Sequence, residues 1–281
     1  ILLLIWNKCS QMDSYIQMNF DKTSRKNLFG DNWDNFICNK PNDLLSKISL
    51  DQELSDKRYS LLDKLETPVI ETETNIEEDY ENERFESIIS FPNFLLIVNE
   101  ALQKDSGEDD SSLDDKKFLE TLKVNWSNGT NAIKFIYNLL KFRFLFDKYI
   151  IKREYAKDYK EEGKWSLQML QMYYDKNKRQ KKTSYKLTYA VDENDIDKKT
   201  ETLRSLQSAL RITYTSPKTM HWISKTLAQL NNNLQTDLTS LLEEYAFSFL
   251  KILLPATEAV LPGILLPHRH RCNHFSADSS D

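Results

Sequence analysis

The chain has 281 residues, a length that fits one large domain or two modest ones. Hydrophobic residues make up 40% and charged residues 29%, a mixture that excludes a wholly disordered or fibrous chain. Five glycines and seven prolines are few for a fold with many tight turns, so the composition favours helix. Three widely spaced cysteines cannot form a closed disulfide set, which fits a reducing compartment and predicts a cytoplasmic location.

The two ends of the chain differ in character from its middle. The opening run ILLLIW predicts a helix that begins inside a longer protein, and it is too short for a membrane span, which needs about 20 residues. We therefore expect no membrane association. After Leu254, three prolines, an Arg/His run and a Ser/Asp tail follow closely. The sequence thus predicts a helical domain over residues 1–254, with a sub-boundary near 104–114, and an irregular, degenerate tail over 255–281.

Apolar residues recur at helical spacing along most of the chain. Ser90-Phe91-Pro92 predicts a helix start, because Pro is tolerated in the first helical turn. A short helix capped by Asp114 or Asp115 should follow. The Asn128-Gly129 pair then precedes a long helix, which we expect to run from about Thr130 to Tyr155.

This long helix is apolar nearly all round, which predicts the central helix of a soluble bundle. Its charged residues interrupt it too often for a membrane span. Further helices are expected around residues 203–210, from Pro217, and from about Leu234 to Leu253, whereas only Ser184–Val191 alternates like a strand. The expected fold is therefore mainly α, a multi-helix bundle with at most a minor strand element.

No nucleotide-binding, zinc-protease or paired-cysteine motif occurs in the sequence. His268, His270, Cys272 and His274 form one stretch whose imidazole and thiolate groups suit zinc or nickel. A structural zinc site usually takes its ligands from two anchored segments, and this is a single Pro-flanked segment, so we expect a His-rich tail and no metal site. His221 is expected to be a hydrogen-bonded packing residue, since no partner ligand or nucleophile is visible nearby.

Charge is unevenly distributed along the chain. Residues 1–140 carry 15 basic and 26 acidic side chains, whereas residues 141–281 carry 23 and 17. Blocks of one sign are usually solvated loops. A basic loop can also contact DNA, because contacts to phosphates need charge more than shape. The candidate phosphate-contacting residues are Lys176, Lys178, Arg179, Lys181, Lys182 and Lys186.

Five segments, in order along the chain, carry a resemblance to one family. They are FDKTSRKNLFGDNW (Phe20–Trp33), FPNFLLIVNEAL (Phe91–Leu102), LDDKKFLETL (Leu113–Leu122), FRFLFDKYIIKREY (Phe142–Tyr155) and LQSALRITYTSPKTMHWI (Leu206–Ile223). Over most of residues 15–250 the chain resembles the middle and C-terminal helical region of GmrSD-type restriction proteins. The resemblance implies a bacterial or archaeal defence protein with an N-terminal ParB-like nucleotidase, a helical region and a C-terminal His-containing nuclease.

Departures from the family pattern determine the expected role. The family's D-G-Q-Q-R run is absent, which would place the nucleotide site upstream of Ile1. Asn273-His274-Phe275 keeps the His of the nuclease motif without its Pro, so His274 is the one candidate catalytic residue that the resemblance implies. NTP and a divalent metal are implied only for the full-length family, and no cofactor is expected in this chain.

These considerations lead to two expectations about function. The first is a helical scaffold that joins the missing nucleotidase and nuclease modules, has DNA as a partner, and is inactive as an isolated chain. The alternative is a structural or protein-interaction module, a degenerate remnant without a nucleic-acid role.

Overall fold

The computed structural model describes residues 1–48, 84–103, 113–156, 158, 160–175, 180–189 and 198–253. Helix predominates within them, so the mainly α fold class is confirmed. The α-helices are α1 (Leu2–Ser10), α2 (Lys22–Phe29), α3 (Leu44–Lys47), α4 (Phe91–Leu102), α5 (Phe118–Leu122), α6 (Gly129–Tyr149), α7 (Lys198–Thr213), α8 (His221–Asn232) and α9 (Leu238–Leu253). Short 3-10 helices lie at Ile16–Asn19, Pro41–Asp43, Asp115–Lys117, Lys123–Trp126 and Pro217–Thr219.

The chain divides into two compact units, Ile1–Ala246 and Phe247–Asp281. In the second unit the structure describes only residues 247–253, which belong to α9. The predicted tail over 255–281 lies outside the described residues, as does most of the expected sub-boundary at 104–114. The predicted domain limits therefore stay predictions.

Helix starts follow the capping residues visible in the sequence. Pro92 stands in the first turn of α4, where its missing N–H needs no partner. The side chain of Asn128 accepts a hydrogen bond from the Asn131 N–H at 2.9 Å and caps α6. Asp114 accepts from the Lys116 N–H at 3.1 Å and caps the 3-10 helix that leads into α5.

The long helix α6 ends six residues earlier than the expected Tyr155, at Tyr149. The buried amide of Gln207, on α7, accepts a hydrogen bond from the Ile151 N–H at 3.0 Å and donates to the Tyr149 carbonyl at 2.9 Å. Because this side chain satisfies backbone groups that a longer helix would have paired, the chain can leave the helix and become extended. Residues Lys152–Glu154 then form a strand.

The strand element is minor, as predicted, but the described residues include five strands where the sequence predicts one. The strands are β1 (Phe85–Ser87), β2 (Lys152–Glu154), β3 (Lys164–Ser166), β4 (Gln168–Asp175) and β5 (Gln180–Leu187). They form an antiparallel sheet in the order β1-β2-β3 and a separate antiparallel pair, β4-β5. The predicted strand Ser184–Val191 overlaps β5, which begins four residues earlier. Strands β1, β2 and β3 have three residues each, too few for alternation to be recognisable.

Helix α6 lies in the centre of the core of the first unit and contacts α1, α4, α8 and β4. Tyr137, Leu140 and Phe144 are buried, as the periodicity predicts. Phe144 stacks on Phe29 with ring centroids 5.5 Å apart. No helix among the described residues is both long enough and apolar enough to cross a membrane.

Three charged side chains are fully buried at the end of α6. Arg143 and Lys152 both bind Oδ1 of Asp147, with the Lys152 Nζ at 2.6 Å. The other carboxylate oxygen accepts a hydrogen bond from the Ile16 N–H at 2.7 Å. Arg143 also donates to the carbonyls of Gln11, Met12 and Ser14 at 2.7–3.2 Å. We call Arg143, Asp147 and Lys152 the buried charge cluster.

The buried charge cluster contains two cations and one anion. Burial lowers the pKa of Lys152 from 10.5 to about 8, against the opposing attraction of Asp147. Burial likewise raises the pKa of the neighbouring Cys9 thiol to about 12. Loss of the Lys152 proton would relieve the excess positive charge, because Arg143 alone can neutralise Asp147.

Phe144→Ala tests the central position of α6. Removing a buried Phe side chain typically costs about 3–5 kcal/mol, because its packing against the surrounding side chains disappears and a cavity remains. We expect a loss of this size in the free energy of unfolding, measured with urea. Val124→Ala is the control: Val124 is 72% exposed, and its change should stay within about 0.5 kcal/mol. Equal losses of stability for the two variants would contradict the central position of Phe144.

Asp147→Asn and Lys152→Met test the buried charge cluster. Asn keeps the shape of Asp and can still accept from the Ile16 N–H, but it leaves two buried cations without an anion. We expect Asp147→Asn to cost about 3–5 kcal/mol at pH 7. Lys152→Met removes the excess cation and should be neutral or stabilising, because an apolar side chain of similar length avoids the desolvation cost. A larger loss for Lys152→Met than for Asp147→Asn would refute this interpretation.

The same cluster predicts a pH dependence. Between pH 8 and 10.5 the unfolded chain keeps the Lys152 proton while the folded protein loses it. The contribution of Lys152 to stability therefore rises with pH across this window, by at most about 3 kcal/mol. The difference in unfolding free energy between the wild type and Lys152→Met isolates this group from Cys9 and other titrating residues. A difference that stays constant across the window would show that Lys152 keeps its proton.

Candidate nucleic-acid interface

Strands β4 and β5 form a two-stranded antiparallel ribbon that carries the basic part of the chain. The register runs from Gln168 opposite Leu187 to Asp175 opposite Gln180. Residues 176–179 connect the two strands and lie outside the described residues. We call residues 173–175 and 180–182 the ribbon end, and the remaining parts of β4 and β5 the ribbon root.

The ribbon root is fixed to the body of the first unit. The ring of Tyr185 lies 5.2 Å from that of Tyr15 and 4.9 Å from that of Phe85, and the guanidinium of Arg84 lies 4.6 Å over it. The Tyr15 hydroxyl donates to the Gln168 carbonyl at 2.9 Å. An isolated two-stranded ribbon is marginally stable in water, so these contacts account for its order.

A tight turn after α2 provides a further attachment for the ribbon. The Met172 N–H donates to the Asn32 carbonyl at 2.8 Å. The next residue, Trp33, is buried with a φ of 60°, a backbone conformation that few residues other than glycine adopt. Gln17 donates to the Trp33 carbonyl at 3.1 Å, and the Arg25 guanidinium lies 4.4 Å over the Trp33 ring. Residues 29–33 (FGDNW), which belong to the segment Phe20–Trp33 that resembles the GmrSD family, thus contact the ribbon through the Asn32 carbonyl.

The structure places half of the predicted phosphate-contacting residues. Lys181, Lys182 and Lys186 lie on β5. The other three, Lys176, Lys178 and Arg179, lie outside the described residues. His274 and the His/Cys stretch at 268–274 also lie outside them, so their predicted roles stay predictions.

The three placed lysines differ in their surroundings. The Lys182 Nζ forms an ion pair with Asp175 at 3.0 Å, within the ribbon end. The pKa of Asp31, in the turn after α2, is lowered chiefly by its hydrogen bond to Lys26, and the positive charge of Lys181 lowers it further. Lys186 belongs to the ribbon root and pairs across the strands with Met169.

The ribbon end also carries two exposed tyrosines that the sequence analysis missed. Tyr173 and Tyr174 are 38% and 56% exposed. Every other tyrosine among the described residues is buried or half-buried. The available signal was the run MYYDKNKRQKK, in which aromatic residues directly precede the basic block. Strand β4 escaped recognition because its apolar and polar residues do not alternate regularly.

A second polar group joins α4 and α8. The His221 Nδ1 lies 2.6 Å from Glu100 Oε1, so His221 is hydrogen-bonded, as expected. The Ser224 hydroxyl lies within hydrogen-bonding distance of two acceptors, the other oxygen of Glu100 and the His221 carbonyl. In a Ser-His-acid triad the imidazole lies between the serine and the carboxylate, whereas here the carboxylate of Glu100 lies between Ser224 and His221. The arrangement is therefore a helix-to-helix contact and not a nucleophilic triad.

Within the described ranges, no group of three or more His, Cys, Asp or Glu side chains could hold a metal ion. The ribbon is accordingly the candidate functional site, since it combines an anchored backbone, positive charge and exposed aromatic rings. No protein-family model, curated protein or solved structure matches this chain.

Proposed function

We propose that this chain is a helical scaffold of a nucleotide-dependent DNA restriction or defence protein, similar to the GmrSD type, and that it contacts DNA through the β4/β5 ribbon. The observation that carries the proposal is an anchored ribbon with lysines on β5. Strands β4 and β5 are continuous with a connection that holds Lys176, Lys178 and Arg179. The helices around α6 supply the rigid support, arranged as a bundle.

The charge of the ribbon is suited to phosphate contacts rather than to base-specific readout in a duplex. Duplex DNA presents a dense row of phosphates, and lysines bind it by releasing condensed counterions. A two-stranded ribbon is also narrow enough to enter a major groove. Such binding is weak and independent of sequence, with a dissociation constant of about 10⁻⁴–10⁻⁶ M near physiological salt.

Exposed apolar side chains favour the alternative, a protein-interaction module. Leu119 on α5 is 83% exposed, and Val124 in the following 3-10 helix is 72% exposed. Trp126, which closes that segment, packs its ring edge-on against Trp6 of α1. Clustered exposed apolar residues of this kind are typical of surfaces that bind other proteins.

A charge-removal variant tests the interaction with DNA. We expect Lys181→Ser/Lys182→Ser/Lys186→Ser to weaken the mobility shift of a short duplex at low salt. The salt dependence of binding should also become shallower, by a slope of about 0.9 for each phosphate that is no longer neutralised. The matched control is Lys116→Ser/Lys117→Ser/Lys123→Ser, which removes three exposed lysines outside the ribbon. Equal shifts for the two variants, or none for the wild type, would favour the protein-interaction module.

We also expect the isolated chain neither to hydrolyse NTPs nor to cut DNA. The nucleotide signature is absent from it, and the nuclease motif around His274 lacks its Pro. The measurement is phosphate release from NTPs and nicking of plasmid DNA by the purified protein with Mg²⁺. Cleavage that His274→Ala abolishes would show that this chain is itself a nuclease.

A further inference from the structure

The ribbon end combines rings and ammonium groups in register. Tyr173 lies directly opposite Lys182, and Tyr174 directly opposite Lys181. Directly opposite residues of an antiparallel pair share a face, whereas successive residues of one strand point to opposite faces. Each face of the ribbon end therefore presents one tyrosine and one lysine.

Phosphate contacts alone do not account for the tyrosines. In a duplex the flat surfaces of the bases are covered by their neighbours, so a protein ring can reach only base edges and the backbone. In a single strand these surfaces are accessible, and stacking a base on an aromatic side chain strengthens binding regardless of sequence. A tyrosine ring next to a lysine ammonium group is therefore complementary to a nucleotide, whose base can stack on the ring while its phosphate contacts the lysine.

We infer that the ribbon end binds unpaired DNA, with Tyr174 stacking on a base and Lys181, on the same face, contacting a neighbouring phosphate. This inference rests on the proposed contact between the ribbon and DNA and names the form of DNA that it takes. Tyr174 is the main stacking residue, because it is the more exposed of the two. The ion pair between Asp175 and Lys182 also lowers the positive charge on the face of Tyr173.

Cross-strand contacts between Tyr and Lys also stabilise hairpins, and this is the competing explanation. The two explanations differ in what they require of the ligand. A stabilising role makes no distinction between DNA with and without bases, whereas stacking needs the bases themselves.

The experiment compares three ligands by fluorescence anisotropy at low salt: oligothymidylate of about 12 nucleotides, an abasic strand of the same length and charge, and a duplex of the same length. We expect the wild type to bind oligothymidylate roughly tenfold more tightly than the abasic strand. Tyr174→Ala should remove this difference and leave abasic binding unchanged. Tyr174→Phe should keep it, because stacking uses the ring and not the hydroxyl.

Lys181→Ser is the matched variant for charge and should weaken binding to all three ligands. Melting curves of each variant establish that the ribbon change has not unfolded the protein. Equal affinity of the wild type for base-bearing and abasic strands would overturn the stacking inference, while weaker binding by Lys181→Ser would then leave the proposed DNA contact standing. Equal losses of affinity for Tyr174→Ala and Tyr174→Phe would also overturn stacking. Binding to none of the ligands would overturn both the inference and the proposed function.

Discussion

Asp147 lies near the end of α6 with Arg143 and Lys152 bound to the same carboxylate oxygen, and the positions of several other elements follow from this contact. Burying an ion costs several kcal/mol unless its charge and its hydrogen-bonding groups are satisfied. Asp147 meets this requirement through its two cations and the Ile16 N–H. Arg143 meets it in part, through the carbonyls of Gln11, Met12 and Ser14, while its buried Nε has no hydrogen-bond partner among the described residues. The segment between α1 and α2 is therefore held against α6 by obligatory partners.

The effect of the buried charge cluster extends to the ribbon through Tyr15. Tyr15 precedes Ile16, whose N–H binds Asp147, and its ring contacts the rings of Phe85 and Tyr185, which also contact each other. Its hydroxyl binds the first residue of β4, and the Lys152 Nζ lies 5.3 Å over its ring. Displacement of the segment 11–16 would therefore move the ribbon root as well. The segment 11–16 thus contacts both the buried charge cluster in the core and the root of the candidate site.

The sequence predicts the helices well, because capping residues and apolar periodicity are local properties. It predicts the buried charge cluster poorly. Arg143 and Asp147 stand four residues apart in a helix, the spacing of an ordinary exposed ion pair, and only the fold shows that both are buried. Lys152 follows the apolar run of α6, so helical periodicity continues past the true end at Tyr149, which depends on the distant Gln207. At the ribbon, the lysines were recognisable as a charge block, but the exposure of Tyr173 and Tyr174 depends on strand pairing.

The exposed tyrosines are the reason for proposing a ligand-binding role for the ribbon lysines rather than protection of the strand edges. Both strands of a two-stranded sheet are edges, and lysines on edge strands prevent association with other strands. If the lysines served only to keep other strands from pairing with these edges, the residues beside them should be polar. Tyr173 and Tyr174 instead expose aromatic surface there, which promotes association with other strands. A ligand with alternating flat and anionic groups explains rings and ammonium groups together, and unpaired DNA has that alternation. The face of Tyr174 and Lys181 suits such a ligand best, since on the other face Asp175 already binds Lys182.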